Sequence, residues 1–235
     1  MILARTTDSD QIHSIANRLH RRRFAIRDGA KIAFYEHGDG DTTLLLVTPT
    51  AYQVAMFQPV VEALCQKFHV VTIDPRGTGS SDPLPSHYAM QQYEEDIRAV
   101  IKTIKRKQMI AVGMSSAGRQ ITRLSHSYPR LIDKLVFVGT PPARSYNPPE
   151  LIPHWELLEQ GDFSQFDEFI AVFAAHLFSE PESRDFADEF IRSAYELPME
   201  IWQNYSAPEP ADNIRPLLKD INIPLLVLHG QIEAL

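Results

Sequence analysis

Gly113-Met114-Ser115-Ser116-Ala117 is the stretch of this sequence best suited to covalent chemistry. A short apolar run, Met109 to Val112, stops at a glycine, presents Ser115, and passes at once into residues compatible with a helix. A strand-turn-helix elbow that carries a nucleophilic serine reads G-x-S-x-G, because small residues on either side let strand and helix pack closely around a strained backbone. Gly113 and Ala117 hold those two positions here. A serine hydroxyl attacks an acyl carbon only when an imidazole takes its proton and a carboxylate fixes the tautomer of that imidazole. Ser115 is therefore the expected nucleophile of an acyl-transfer reaction.

The elements around this elbow alternate. Phe24 to Arg27 and Lys31 to His37 form a strand pair about the turn Asp28-Gly29. Leu44 to Val47 and His69 to Ile73 are continuous apolar runs, as expected for strands buried on both faces of a sheet. Helices are expected over 55–67, 88–105 and 116–127, with strands at Met109 to Val112 and within Leu131 to Val138. This order predicts an α/β fold built on a mostly parallel, doubly wound sheet. Ligands bind such sheets beyond the carboxyl ends of the strands, where Ser115 falls.

From Pro141 the alternation stops. Prolines at 141, 142, 148, 149 and 153 mark an irregular exit, and helical stripes follow. Ser164 and Asp167 have the spacing of a capping box ahead of Phe166, Phe169, Ile170, Phe173, Leu177 and Phe178. Phe186, Phe190, Ile191 and Ala194 form a second stripe, and Ile201 and Trp202 a shorter third. The expected organisation is an N-terminal extension over 1–23 with a helix at 8–20, a core over 24–140, a helical cap inserted after the sixth strand over 141–218, and a return to the core over 219–235.

Composition narrows the partners. The 235 residues carry 23 basic and 30 acidic side chains, a formal net charge of -7, which disfavours nucleic acid. Cys65 is the single cysteine, so neither a disulfide framework nor a cysteine metal site is expected, and no cofactor is implied. No apolar run approaches the roughly 18 residues that cross a bilayer, and the first residues lack a signal-peptide layout. A cytoplasmic protein acting on a small molecule is the expectation. Asn204-Tyr205-Ser206 has the form of a glycosylation acceptor and is read as coincidental in that setting.

Several segments in order resemble the α/β-hydrolase family over about residues 24–235. Besides the elbow, Asp74-Pro75-Arg76-Gly77-Thr78-Gly79-Ser80-Ser81-Asp82 looks like the family's D-x-R-G-x-G-x-S-D stretch, whose role there is structural. Gly139-Thr140-Pro141 resembles the exit into a cap. Leu226 to Glu233 is similar to the strand and loop that carry the triad acid. The resemblance implies Ser115 as nucleophile, Glu233 as acid, and the amides of Ser116 and Thr50 as oxyanion-hole donors. The usual His-Gly of the oxyanion loop stands here as Thr48-Pro49, and Pro49 has no N-H, so the second donor falls to Thr50.

The family's catalytic histidine follows the acid by one more strand, and this sequence ends at Leu235. None of the nine histidines, His13, His20, His37, His69, His87, His126, His154, His176 and His229, occupies that place. The resemblance thus implies a serine hydrolase acting on an ester, lactone or similar acyl bond of a small, partly apolar substrate. It also implies a sheet edge lacking its last strand and helix, completed by a second copy or a partner, and little turnover by these residues alone. The alternative from another class is an inactive homologue that binds a ligand or partner.

Overall fold

The fold, a computed structural model, describes residues 21–49, 54–85, 88–104, 108–143, 149–206 and 213–230, with the side chains of Ala55 and Met56 excepted. Among the described residues seven strands form one sheet: β1 (Arg21–Arg27), β2 (Ala30–His37), β3 (Thr42–Val47), β4 (His69–Ile73), β5 (Gln108–Met114), β6 (Lys134–Val138) and β7 (Leu225–Leu228). Their order is β1-β2-β4-β3-β5-β6-β7. β1 pairs antiparallel with β2, and β2 with β4, while every later pairing is parallel. The expected mostly parallel α/β sheet is the one observed.

Side chains that alternate along the strands feed two apolar layers. Leu45, Val71, Ala111 and Leu135 face α2 (Met90–Ile104) and α3 (Ser116–Ser127), where Ile97, Val100, Ile121 and Leu124 complete the main core. Leu44, Leu46 and Val70 face the other way, onto Val61 of α1 (Gln58–Leu64). Each fully buried aliphatic chain, such as Ile121 or Leu135, contributes about 1.5–3 kcal/mol. This two-sided burial explains why β3 and β4 read as unbroken apolar runs.

The cap follows β6, as expected. It comprises α4 (Ile152–Glu159), α5 (Phe166–Leu177), α6 (Arg184–Glu196) and α7 (Met199–Ser206), around Leu151, Leu158, Phe169, Phe190 and Trp202. The Trp202 indole donates to Ala194 O at 3.1 Å, so its N-H is satisfied inside the cap. Met114 and Phe57 of the core pack against this aromatic cluster.

Four local expectations need correction. Arg21, Arg22 and Arg23 belong to β1 rather than to an N-terminal extension, because they pair with Glu36, Tyr35 and Phe34 of β2. The helix expected at 8–20 lies outside the described residues. The Ser164 box does not cap α5: Gln165 occupies the N-cap, and the Ser164 amide donates instead to Asp162 Oδ1 at 2.9 Å. Phe186 is 47% exposed, since only Phe190, Ala194 and Ile191 of its stripe turn inward. Ile214, assigned to the cap, is buried in the main core, and α8 (Arg215–Leu218) packs Leu217 and Leu218 against the same core.

The sheet's two edges differ in kind. β1 carries arginines, and Arg23 pairs with Glu36 at 3.0 Å. β7 carries Leu225, Leu226, Val227 and Leu228, each between 40% and 54% exposed. Among the described residues β7 is an edge strand of the sheet.

Candidate active site

β5 runs through Met114 and α3 begins at Ser116, so Ser115 is the single residue of the turn and the N-cap of the helix. Its backbone stands at φ 50°, ψ −126°. Among the described residues only Asp28 shares a positive φ without being glycine. Such a conformation costs an L residue about 1–3 kcal/mol and persists only when its surroundings over-determine it.

Those surroundings are visible. The Ser115 amide donates to Val138 O at 2.9 Å, fixing the turn to the end of β6, and Gly118 N donates to Ser115 O at 3.1 Å. Thr140 Oγ1 donates to Gly113 O at 3.2 Å. A Cβ on Gly113 would stand 2.6 Å from the Cα of Gly118, and one on Gly118 would stand 2.1 Å from Thr140 Oγ1. Strand and helix therefore touch backbone to backbone at Gly113 and Gly118. Ala117, assigned the second small position, is buried within α3, but the crowded contact falls one residue later.

The sharp turn aims the first amides of α3 away from intrahelical partners, at the positive end of the helix dipole. Ser116 supplies one of them. Its side chain is 3% exposed, and Ser116 Oγ has no hydrogen-bond partner. Across the sheet Val47 is in register with Gly113, so Thr48 and Pro49 leave β3 beside the elbow. Both are buried, and Thr48 Oγ1 also lacks a partner. Thr50 and Glu233 lie outside the described residues. β7 ends on the same side of the sheet as Ser115, where Gly139 N donates to Leu228 O at 2.9 Å.

Among the described residues no histidine is hydrogen-bonded to Ser115. His154 is buried in α4 with its ring 6.3 Å from that of Phe169, within the cap. His69 is held at the opposite end of the sheet, between Thr43 Oγ1 and Glu36 Oε1 at 3.1 Å each.

The Asp74 to Asp82 stretch shapes the neighbouring loop with its own side chains. Asp74 Oδ2 accepts from Tyr35 OH at 2.8 Å and from Ser80 N at 2.9 Å. Burial raises the Asp74 pKa, against the lowering effect of these two donors. Gly79, at φ 51°, passes so close that a Cβ would meet Asp74 Oδ2 at 2.2 Å. Arg76 grips Asp96 through Nε at 3.1 Å and Nη2 at 3.0 Å, and Arg27 Nη1 reaches Asp96 Oδ1 at 2.9 Å. Tyr88 OH donates to the same carboxylate, and its pKa is raised, first by burial and then by Asp96. These contacts bind the loop and the β1–β2 turn to α2.

Sequence reasoning put Ser115 and Ser116 in a strand-turn-helix turn, where the structure has them, and did not single out Gly118 and Thr140 as the residues that crowd it. A glycine inside a helix costs about 1 kcal/mol relative to alanine, and that local misfit was the available signal for Gly118.

Comparison with known proteins agrees with this geometry. Residues 45–222 match the family described as alpha/beta hydrolase fold. The chain belongs to that family. A 2-(acetamidomethylene)succinate hydrolase of Mesorhizobium japonicum is 31% identical over 107 residues, 46% of this chain and 38% of that protein. The chain thus spans well under half the length of the curated relatives it matches. An esterase from Exiguobacterium antarcticum superposes with a TM-score of 0.78 at 18% identity, covering 90% of this chain and 81% of that one. An enol-lactonase from Burkholderia xenovorans LB400 gives 0.71 at 20% identity, covering 89% and 81%. At these identities the structural likenesses speak for the fold. No helix among the described residues is long and apolar enough to cross a membrane.

Proposed function

We propose that this protein is a serine hydrolase that cleaves an ester, lactone or similar acyl bond in a small, partly apolar molecule. The observation that carries the reading is Ser115 at φ 50° on a one-residue turn between β5 and α3. A backbone held at that cost exposes the hydroxyl above the sheet and sets it beside the free amides of a helix start.

In this reading Ser115 Oγ attacks the acyl carbon while an imidazole takes its proton, and Glu233 holds that imidazole in the productive tautomer. The carbonyl oxygen becomes an oxyanion that accepts from the Ser116 and Thr50 amides. The leaving group departs with the proton from the imidazole. Water then repeats the sequence on the acyl-enzyme and frees Ser115. The substrate class is supported by the cap's aromatic core reaching Met114, next to the nucleophile, and by likeness to an esterase, an enol-lactonase and a 2-(acetamidomethylene)succinate hydrolase.

A fluorophosphonate probe tests the assignment. Mass spectrometry should find the adduct on Ser115, and Ser115→Ala should lose both labelling and turnover of a short acyl ester. Turnover retained by Ser115→Ala would sink the reading. A non-catalytic ligand-binding module is the second reading, favoured by the lack of an imidazole bonded to Ser115 among the described residues. Tight ligand binding without any acyl turnover would select it.

A further inference from the structure

Thr140 stands where the sheet, the elbow and the root of the cap come together. It follows Gly139 at the end of β6 and comes immediately before Pro141-Pro142, where the chain leaves for the cap. Its backbone is anchored on either side. Gly139, at φ 53°, donates its amide to Leu228 O of β7 at 2.9 Å. Pro142 O accepts from Ile214 N at 2.9 Å, which clips the cap's entry to its return, and Ile214 is buried in the main core. A residue between two such anchors has little room to shift.

From that position the half-buried side chain meets both halves of the elbow. Oγ1 donates to Gly113 O at 3.2 Å, at the end of β5. The same side chain closes over Gly118 in the first turn of α3, where a Cβ would run into its Oγ1, Cγ2 and Cβ. Val138, at the end of β6, accepts from Ser115 N at 2.9 Å. The strap 138–142 thus touches the chain before, at and after the turn. The turn that it holds is one an L residue keeps only under such restraint.

We propose that Thr140 is a positioning residue for Ser115. The inference rests on the reading of Ser115 as the nucleophile and adds what keeps it aimed. The Thr140 hydroxyl holds the Gly113 carbonyl, so the end of β5 cannot swing to relieve the strain at φ 50°. Displacement of a reacting group by a fraction of an ångström slows the reaction while leaving substrate binding unaltered, because alignment is what the restraint supplies.

Thr140→Ala and Thr140→Ser both lose the methyl, and only the alanine loses the hydroxyl, so the pair isolates the bond to Gly113. In the full chain Thr140→Ala should slow fluorophosphonate labelling of Ser115 and lower kcat on a short acyl ester about tenfold with KM unchanged, whereas Thr140→Ser should stay within about threefold of the parent. Amide exchange at Ser115, followed by NMR, should give the same order without any turnover, faster in the alanine variant and near the parent in the serine variant. Thr140→Ala labelled as fast as the parent, the two variants slowed alike, or a raised KM with kcat intact would each overturn the positioning role and leave the hydrolase reading standing. A parent unlabelled at Ser115 counts against the hydrolase reading itself, and the exchange rates then decide alone: equal rates in the two variants refute the hold on Gly113.

Discussion

Gly113 and Gly118 meet where the last turn of β5 passes the first turn of α3, with no room between them for a side chain: a Cβ on Gly113 would lie 2.6 Å from the Gly118 Cα. That contact sets the sharpness of the elbow. Gly113→Ala should destabilise the protein by about 1–3 kcal/mol, because its clash is with backbone that cannot rotate away. Gly118→Ala should cost a similar amount, since the intruding Cβ meets Thr140 Cγ2 at 2.4 Å as well as its Oγ1, and no rotamer clears both. Ala117→Gly, which completes the G-x-S-x-G pattern, should gain nothing and cost about 1 kcal/mol of helix stability. Urea unfolding of the three variants ranks them, and an Ala117→Gly protein more stable than the parent would contradict the placement.

Strain at Ser115 is separable from its chemistry. Glycine tolerates φ 50° without penalty, so Ser115→Gly should release about 1–3 kcal/mol of strain against about 0.5–1 kcal/mol of added chain entropy. The net expectation is a protein stabilised by roughly 1 kcal/mol, whereas Ser115→Ala keeps the strain. Neither variant should react with a fluorophosphonate. Equal thermal midpoints for the two would remove the strain argument.

The sequence disclosed what is local and periodic. The 116–127 helix, the buried β3 and β4 runs and the insertion after β6 follow from side-chain pattern alone. What escaped it depends on partners distant in the chain. Nothing within Arg21-Arg22-Arg23 announces that β2 will recruit it as strand. Likewise the crowding at Gly118 comes from Thr140, which lies beyond β6 in the chain. Of the assigned site residues, Ser115 and Ser116 adjoin at the elbow, while Thr50 and Glu233 lie outside the described residues.

Asp96 is 3% exposed and faces two arginines. Removing it leaves Arg76, itself 5% exposed, without a counter-charge in a dry setting. Breaking a buried pair from one side costs about 3–5 kcal/mol, so Asp96→Ala should be among the most destabilising substitutions outside the apolar core. Arg27→Ala, which removes the more exposed partner, should cost distinctly less. The urea midpoints of the two proteins test that order.

Alkaline stability should fall in a defined window. Burial pushes the Tyr35 phenol up from 10.0 to about 12, and the Tyr93 and Tyr88 phenols are raised as well, again first by burial. A phenol whose pKa is higher in the folded state binds more protons there than in the unfolded chain. The stability that Tyr35 contributes is therefore complete below pH 10.0 and is lost as pH climbs through about 12. Tyr35→Phe should flatten the fall of the urea midpoint across that interval. An unchanged slope would mean that Tyr35 titrates normally in the folded protein.

The two edges of the sheet should behave differently in solution. β1 presents Arg21, Arg22 and Arg23, charges of the kind that discourage edge-to-edge pairing. β7 presents Leu226 and Val227, both 54% exposed, and Leu226 continues a row across Val136 and Val112 on the α1 side of the sheet. A four-residue apolar edge with both faces open is a template for another strand, so the 235-residue chain should self-associate as its concentration rises. Leu226→Lys should shift the sedimentation profile toward monomer while changing stability by less than about 0.5 kcal/mol, because the side chain is already in water. Replacing Arg21 and Arg22 by alanine, at the guarded edge, should instead promote association. A parent chain that stays monomeric at every concentration would show that β7 is not adhesive, its exposed leucines notwithstanding.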